Sequence, residues 1–201
     1  MNRKFISTLI YANAFIVGNV LMGFEMLGSR YLNPYFGSGI GAWASLISVV
    51  LCALAIGYFA GGVIVDKHPS PFDISIAVAA AAIYLAFVPA TADPVMGWIL
   101  NTVGQGPAGI LLASSALLLV PLTFLGTLSP MAVRLLLPST EEIGRVSGFV
   151  YGISTIGNVC GTLLTTFVLI PQIGSRDITY LYAALLGVCS ISLFLGARKV
   201  R

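Results

Sequence analysis

The charged residues of this chain stand far apart and divide it into long apolar runs. A helix needs about 20 apolar residues to cross a hydrocarbon core of about 30 Å. None of the runs alternates with the period of two that a transmembrane β-strand requires. Once the turns are trimmed, the pattern predicts six transmembrane helices, over residues 5–28, 40–65, 73–91, 108–136, 146–170 and 178–197.

Composition supports this interpretation. Of the 201 residues, 58% are hydrophobic and only 8% are charged, whereas a soluble domain carries about 25% charged residues. So few charges exclude a soluble enzyme, a disordered regulator and a nucleic-acid-binding protein. We therefore expect residues 1–201 to form a single all-α domain embedded in a lipid bilayer.

The distribution of Lys and Arg predicts the orientation, because cytoplasmic loops carry an excess of positive charge. Eight of the ten basic residues fall on the side of the two termini, and only Arg30 and Arg176 fall on the other. Both termini are thus expected in the cytoplasm, and the expected location is the inner (plasma) membrane of a bacterium. The first helix is too long for a cleaved signal peptide, whose apolar core has about 7–15 residues.

Two pairs of short motifs recur about 100 residues apart. Residues 30–34 and 134–138 both run from Arg to Pro at the end of a helix, and residues 57–61 and 157–161 both read GxxxG. They predict two inverted three-helix repeats, an arrangement common in transporters, although short motifs of this kind also arise by chance. The glycines themselves are expected to let helix backbones pack closely.

Prolines mark the expected interruptions of the helices. In the 93–107 connection, Asp93 followed by Pro94 resembles the start of a short helix, which we expect to lie on the outer face of the membrane. Pro121 and Pro130 lie inside the fourth helix and are expected to kink it.

Glu25 is the most informative single residue, because 20 uncharged residues precede it. An ionisable group within a membrane helix is costly and marks an ion or substrate pathway by default. The functional interpretation is a carboxylate that binds a cation or exchanges a proton. The alternatives are a structural partner for Arg30, which lies about 140° around the helix, or a carboxylate that reaches the outer interface.

Helix 5 carries a polar stripe at spacings of three and four residues, which places its members on one face. The stripe consists of Ser147, Tyr151, Ser154, Asn158, Thr162 and Thr165. It is expected to line a solute cavity, and interhelical hydrogen bonding is the alternative. Further polar candidates are Ser45, Ser48 and Cys52 on helix 2 and Asn13 and Asn19 on helix 1.

The end of helix 2 reads Gly62-Val63-Ile64-Val65-Asp66-Lys67. It resembles the Gly-x-x-x-Asp-Arg/Lys signature that the major facilitator superfamily carries between helices 2 and 3, without the downstream Gly-Arg-Lys part. Asp66 is expected to pair with a basic residue of a neighbouring helix, such as Arg134 or Arg145, and so to latch a cytoplasmic gate. Solvated loop charge is the alternative.

No catalytic set is recognisable. GxSxG, HExxH and phosphate-binding glycine motifs are absent from the sequence, and its one histidine, His68, lies between two predicted helices. Cys52, Cys160 and Cys189 lie in three different helices, where single thiols behave as small apolar residues. We expect neither an enzyme nor a metal, cofactor or disulfide.

Several stretches together are similar to the membrane part of the fused major-facilitator/spermidine-synthase proteins. They include Glu25-Met26-Leu27-Gly28-Ser29-Arg30 and residues 33–38, 43, 46–48, 57–58, 61–62, 66, 144–148, 151–157, 161–162, 167–171 and 174. The resemblance implies half of a major facilitator fold and a link to polyamines or related amines. The aminopropyltransferase domain of those proteins has no counterpart in this sequence.

The functional hypothesis is a secondary transporter that works as a homodimer by alternating access. Glu25 would bind a cationic or zwitterionic amine, polyamine-like or amino-acid-like, or couple protons, and Arg30 would favour a carboxylate. The polar residues of helices 1, 2 and 5 would line the path, namely Asn19, Ser45, Ser48, Tyr151, Ser154, Asn158 and Thr162. The alternative is a non-transporting membrane subunit that anchors or regulates a separate aminopropyltransferase-like enzyme.

Overall fold

A computed structural model describes residues 3–67, 70–137 and 142–198. Six helical spans are long and apolar enough to cross a membrane, which confirms the predicted number and the all-α membrane class. They are Ile6–Phe36, Ile40–Lys67, Pro71–Val103, Pro107–Leu136, Ile143–Gln172 and Ser175–Arg198. Lys199 and Arg201, which contributed to the predicted orientation, lie outside the described residues.

Two of the six spans are divided into shorter elements. The helices are α1 (Arg3–Phe36), α2 (Ile40–Lys67), α3 (Pro71–Val103), α4 (Pro107–Gly126), α5 (Leu128–Leu136), α6 (Ile143–Leu164), α7 (Ile170–Gln172) and α8 (Ser175–Arg198). The fourth span joins α4 to α5, and the fifth joins α6 to α7 through a π-helical segment at Thr165–Leu169.

Two helices continue beyond their predicted ends. α1 runs past Pro34 to Phe36, and α3 runs through Pro89 and Pro94 to Val103. The prediction of a separate short helix after Asp93 was therefore wrong. A proline removes one backbone donor but need not end a membrane helix, because neighbouring groups can satisfy the carbonyl that it frees.

The fourth span confirms one of its two expected interruptions. α4 continues through Pro121, but the regular helix stops at Gly126, and a turn at Thr127 leads into α5. Pro130 follows three residues later and lacks the N–H that would continue the α-helical pattern across this turn. The span therefore contains a discontinuity close to its middle.

The helices pack in two layers. The front layer is a row in which α2 packs on α4, α4 on α1 and α1 on α6, and the back layer consists of α3 and α8. α3 packs against α4, and α8 packs against α1, so the two middle helices of the front row have neighbours on both sides and behind. Their shared interior contains the fully buried side chains of Phe24, Leu118 and Leu122.

Glycines set the closest helix contacts, as the sequence predicted. A Cβ added at Gly57 would collide with the Thr123 carbonyl of α4. One added at Gly157 would likewise collide with the backbone of Phe15 in α1. Small residues permit such backbone contact where no hydrophobic effect drives helices together.

An even number of spans places the start of α1 at Arg3 and the end of α8 at Arg198 at one end of the bundle, called here the terminal end. The α2–α3 and α5–α6 connections lie at the same end, and the other three connections lie at the opposite end. The second span (α2) and the fifth span (α6 and α7) are the least buried of the six. They form the two edges of the front layer.

Candidate functional site

A groove opens at the terminal end, between the edges of the front layer. Its volume is about 260 Å³. α2 contributes Gly62, Val65 and Asp66, α5 and the residue after it contribute Pro130, Val133, Arg134 and Leu137, and α6 contributes Ser147 and Tyr151. The groove therefore combines an acidic, a basic and two hydroxyl side chains with apolar walls.

An ion pair lies at the mouth of this groove. The Asp66 carboxylate is 3.7 Å from Nε of Arg134, and both side chains are more than half exposed. Arg145, the other partner considered from the sequence, is instead 3.8 Å from Glu142 one turn earlier. The structure thus places Asp66 of α2 against Arg134 of α5, next to α6.

A smaller crevice of about 20 Å³ lies deeper along the front layer. All four elements of the row contribute to its lining. The lining residues are Val17 and Leu21 of α1, Leu54 and Tyr58 of α2, Leu125, Gly126, Leu128 and Ser129 around the break in the fourth span, and Ser154 and Asn158 of α6.

The polar side chains of the crevice have no internal hydrogen-bond partners. Among the described residues, none bonds to the side chains of Tyr58, Ser129, Ser154 or Asn158, and the Asn158 Oδ1 atom is fully buried. Hydroxyls elsewhere in the spans usually bond to a carbonyl of their own helix, as Thr123 does to Leu119 at 2.7 Å. Unpartnered polar groups are costly in hydrocarbon. The buried hydroxyls of Ser114 and Thr166 also lack a partner elsewhere in the described chain, so the crevice is distinguished by having four such side chains in one place.

Glu25 is buried, with 6% of its surface exposed. It lies four residues after Leu21, which places it on the crevice-lining face of α1 and about 6 Å farther from the terminal end. No ion pair forms between its carboxylate and any other residue that the structure describes. Arg30 is exposed and unpaired in the same set, so the structural alternative of a Glu25–Arg30 pair is not observed.

The polar stripe predicted on the fifth helix lies on α6 and the start of the π-helical segment, and its residues face different surroundings. Ser147 and Tyr151 line the groove, and Ser154 and Asn158 line the crevice. The remaining two residues serve the packing instead. Thr162 donates to the Asn158 carbonyl at 3.0 Å, and Thr165 is buried beside the Tyr182 hydroxyl of α8.

The predicted residues of helices 1 and 2 lie outside both cavities. Asn19 contributes its backbone to the contact with Gly161, while Ser48 is exposed and Ser45 half-buried. Asn13 bonds to the Leu9 carbonyl at 2.8 Å and lies 3.2 Å from the Ser192 hydroxyl of α8. The contacts of Asn13 and Asn19 are thus those of helix packing.

Two residues of the crevice were missed from the sequence, Tyr58 and Ser129. Ser129 directly precedes Pro130 inside an apolar run, and a polar residue beside a mid-span proline was the available signal. Tyr58 directly follows Gly57, but nothing in the spacing of helix 2 separates it from the residues that face outward.

Polar contacts close the opposite end of the bundle. Arg176 at the start of α8 forms an ion pair with Asp93 of α3. The Tyr31 hydroxyl of α1 is 2.9 Å from that of Thr179 in α8, and Gln105 donates to the Tyr35 carbonyl at 3.2 Å. The bundle is therefore tied together at the opposite end, whereas the groove lies at the terminal end.

The three cysteines are free thiols. Cys189 is buried, whereas Cys52 and Cys160 lie on the exposed faces of α2 and α6. Within the described ranges, no group of three His, Cys, Asp or Glu side chains could hold a metal ion.

Comparison of the chain with protein-family models, with curated proteins and with solved structures found no match.

Proposed function

We propose that this protein is a secondary transporter of small amines that works as a homodimer by alternating access. The observation that carries the proposal is the convergence of unpartnered polar side chains from α2, the fourth span and α6 on a mid-span crevice. Glu25 lies one helical turn beyond that crevice. A costly polar surface within a membrane bundle supports a path for a polar solute.

The pattern of helix contacts supports an inverted repeat of three helices, as in half of a major facilitator fold. In such a repeat the first span (α1) corresponds to the fourth span (α4 and α5), and the second span (α2) corresponds to the fifth span (α6 and α7). The contact between α1 and α6 then corresponds to the contact between α4 and α2. Both contacts are extensive, and both place a GxxxG motif against a backbone. Gly57 and Gly157, which make these contacts, stand 100 residues apart.

A parallel homodimer would supply the second half of the transporter. Two halves related by an axis along the membrane normal form the facilitator fold, and a two-fold dimer has this symmetry. The edges of the front layer are the least buried spans, and they expose hydroxyl groups such as those of Ser48 and Tyr151 at membrane depth. A facing front layer would cover these groups and enclose the path.

The two ends of the bundle support an inward-facing state. The groove lies at the terminal end, and the opposite end is tied by the Arg176–Asp93 pair. With the termini in the cytoplasm of a bacterium, as the positive charges favour, the Asp66–Arg134 pair would lie at the cytoplasmic gate, where it joins α2 to α5 beside the open groove.

Glu25 favours a cationic group on the solute, because a buried carboxylate without an internal partner gains most from an opposite charge. The resemblance to the fused major-facilitator/spermidine-synthase proteins also supports an amine, polyamine-like or amino-acid-like. Arg30 would receive a carboxylate if the solute is zwitterionic. Protonation of Glu25 would release the amine and couple transport to the proton gradient.

The proposal is tested by amine uptake into proteoliposomes with wild type and Glu25→Gln. We expect the variant's flux to fall at least about tenfold and to lose its pH dependence, because a charge-assisted contact contributes about 1.5–3 kcal/mol. Asp177→Asn, a matched carboxyl-to-amide change at the exposed start of α8, should leave flux unchanged. Wild-type protein without amine flux would contradict the transporter, and unchanged flux in Glu25→Gln would contradict the role of Glu25.

A further inference from the structure

We propose that the mid-span crevice is a binding site for one Na⁺ ion. The crevice combines oxygen atoms from three elements, and none of the side chains among them has a hydrogen-bond partner within the described chain. As a binding site it stands on these observations alone. As the site of a coupling ion it rests on the proposed transport function.

The chemistry of the lining fits a hard monovalent cation. The side-chain oxygens come from the hydroxyls of Ser129, Ser154 and Tyr58, and the Asn158 amide lies beside them with its Oδ1 atom fully buried near Gly18 of α1. Hard cations prefer oxygen ligands, and sites for Ca²⁺ and Mg²⁺ use carboxylates. The lining contains no carboxylate, so neutral oxygens favour a single positive charge.

The discontinuity of the fourth span adds a backbone oxygen. Gly126 lines the crevice, and Pro130 lacks the N–H that would bond to the Gly126 carbonyl in a continuous α-helix. This carbonyl belongs to the last residue of α4, directly before the turn at Thr127. Carbonyls at interrupted membrane helices are a means of coordinating Na⁺ in transporters.

The size of the crevice excludes a larger occupant. Its volume of about 20 Å³ suits a single ion or water, for which about 10–15 Å³ suffices. The groove at the terminal end is more than ten times larger, so it would admit an organic amine to the path that leads toward Glu25. Ion and solute would therefore occupy separate sites along one path.

Glu25 supplies the countercharge without being a ligand. It stands one turn beyond Leu21 on the crevice-lining face of α1 and is 6% exposed, and burial strengthens the attraction between unlike charges. Na⁺ in the crevice and a carboxylate at Glu25 would then stabilise each other, which makes Na⁺ binding sensitive to the charge of residue 25.

The test measures the melting temperature of the detergent-purified protein while Na⁺ replaces choline or K⁺ at constant ionic strength. We expect a saturable rise with Na⁺ alone, because a ligand that binds only the folded state stabilises it. Ser129→Ala should raise the Kd for Na⁺ about tenfold, the effect of losing one ligand. Ser115→Ala, a matched change in α4 at a hydroxyl bonded to Leu111, should keep the wild-type Kd.

The other possible results distinguish the Na⁺ site from the proposed transport function. A melting temperature that responds equally to Na⁺, K⁺ and choline would show a water-filled crevice and overturn the site. A full Na⁺ response in Ser129→Ala would also overturn it. Amine flux that persists when K⁺ replaces Na⁺ would contradict the coupling role while leaving the transporter intact, whereas Na⁺-dependent stability without flux would contradict only the proposed transport.

Discussion

At the scale of single residues, some polar side chains of the bundle are hydrogen-bonded to a neighbouring helix and others have no hydrogen-bond partner. Thr165 and Tyr31 are satisfied by hydroxyls of α8, so they stabilise the bundle. Asn158 and Ser129 have no such partner among the described residues. Since an unmade hydrogen bond in hydrocarbon destabilises the fold, the second group points to a ligand.

The Asp66–Arg134 ion pair is formed by two exposed side chains. We expect Asp66→Asn to change the free energy of unfolding by less than about 1 kcal/mol, the usual limit for an exposed ion pair. Its effect should instead appear in the rate of amine flux, which would change several-fold if the pair latches the inward gate. Proteoliposome flux and denaturant unfolding of the same preparation measure both quantities.

Glu142→Gln is the control for this latch, because it breaks the exposed Arg145–Glu142 pair at the same end of the bundle. It should leave the flux unchanged. If both variants alter the flux equally, general surface charge is responsible, and the assigned role of Asp66 is wrong.

At the scale of helices, two kinds of irregularity shape the front layer. Glycines bring α6 onto α1 and α2 onto α4, and these contacts fix the width of the row. The turn at Thr127 then divides the fourth span beside the crevice. A regular helix with larger residues would leave no polar cleft in the middle of the row.

Gly161→Ala tests the glycine contacts. Its new methyl group would meet the backbone of Asn19 directly, and such overpacking destabilises by about 1–3 kcal/mol. A melting temperature several degrees lower in detergent is the expected result. The matched control, Gly187→Ala in α8, has open space at its Cβ and should be nearly neutral. Equal effects of the two variants would assign the change to helix propensity instead of packing.

At the scale of the whole molecule, the front layer leaves one face without a partner. The back layer shields α1 and α4 from behind, whereas the edges of the row, α2 and α6, expose aromatic, aliphatic and hydroxyl groups. In a parallel dimer, α2 of one protomer would lie against α6 of the other. Residues at the same depth would then meet, because the two-fold axis follows the membrane normal.

The crevice gives the depth register for a cross-linking prediction. Leu54 and Tyr58 line it together with Ser154 and Asn158, so Ala55 lies at about the depth of Val159. In a background without native cysteines, we expect a short thiol cross-linker to join Ala55→Cys of one protomer to Val159→Cys of its partner. Co-expression of the two single-cysteine variants followed by gel electrophoresis measures the linked dimer.

Val188→Cys provides the control, because it lies exposed on α8 in the back layer. It should not link to Ala55→Cys. Preferential linking through Val188→Cys would place the interface on the back layer, and a monomeric mass in detergent would contradict the homodimer.

The sequence by itself determined the class of the protein, the number of spans and the glycines that bring helices together, because each depends on local patterns of hydrophobicity and residue size. It also named Glu25, Ser154 and Asn158, since a polar residue within an apolar run is visible without a fold. Whether such a residue finds a partner depends on the neighbouring helices, which sequence spacing does not specify. Only the tertiary structure therefore separated Thr165 from Asn158, added Tyr58 and Ser129, selected Arg134 as the partner of Asp66, and formed one crevice from the four helices of the front layer.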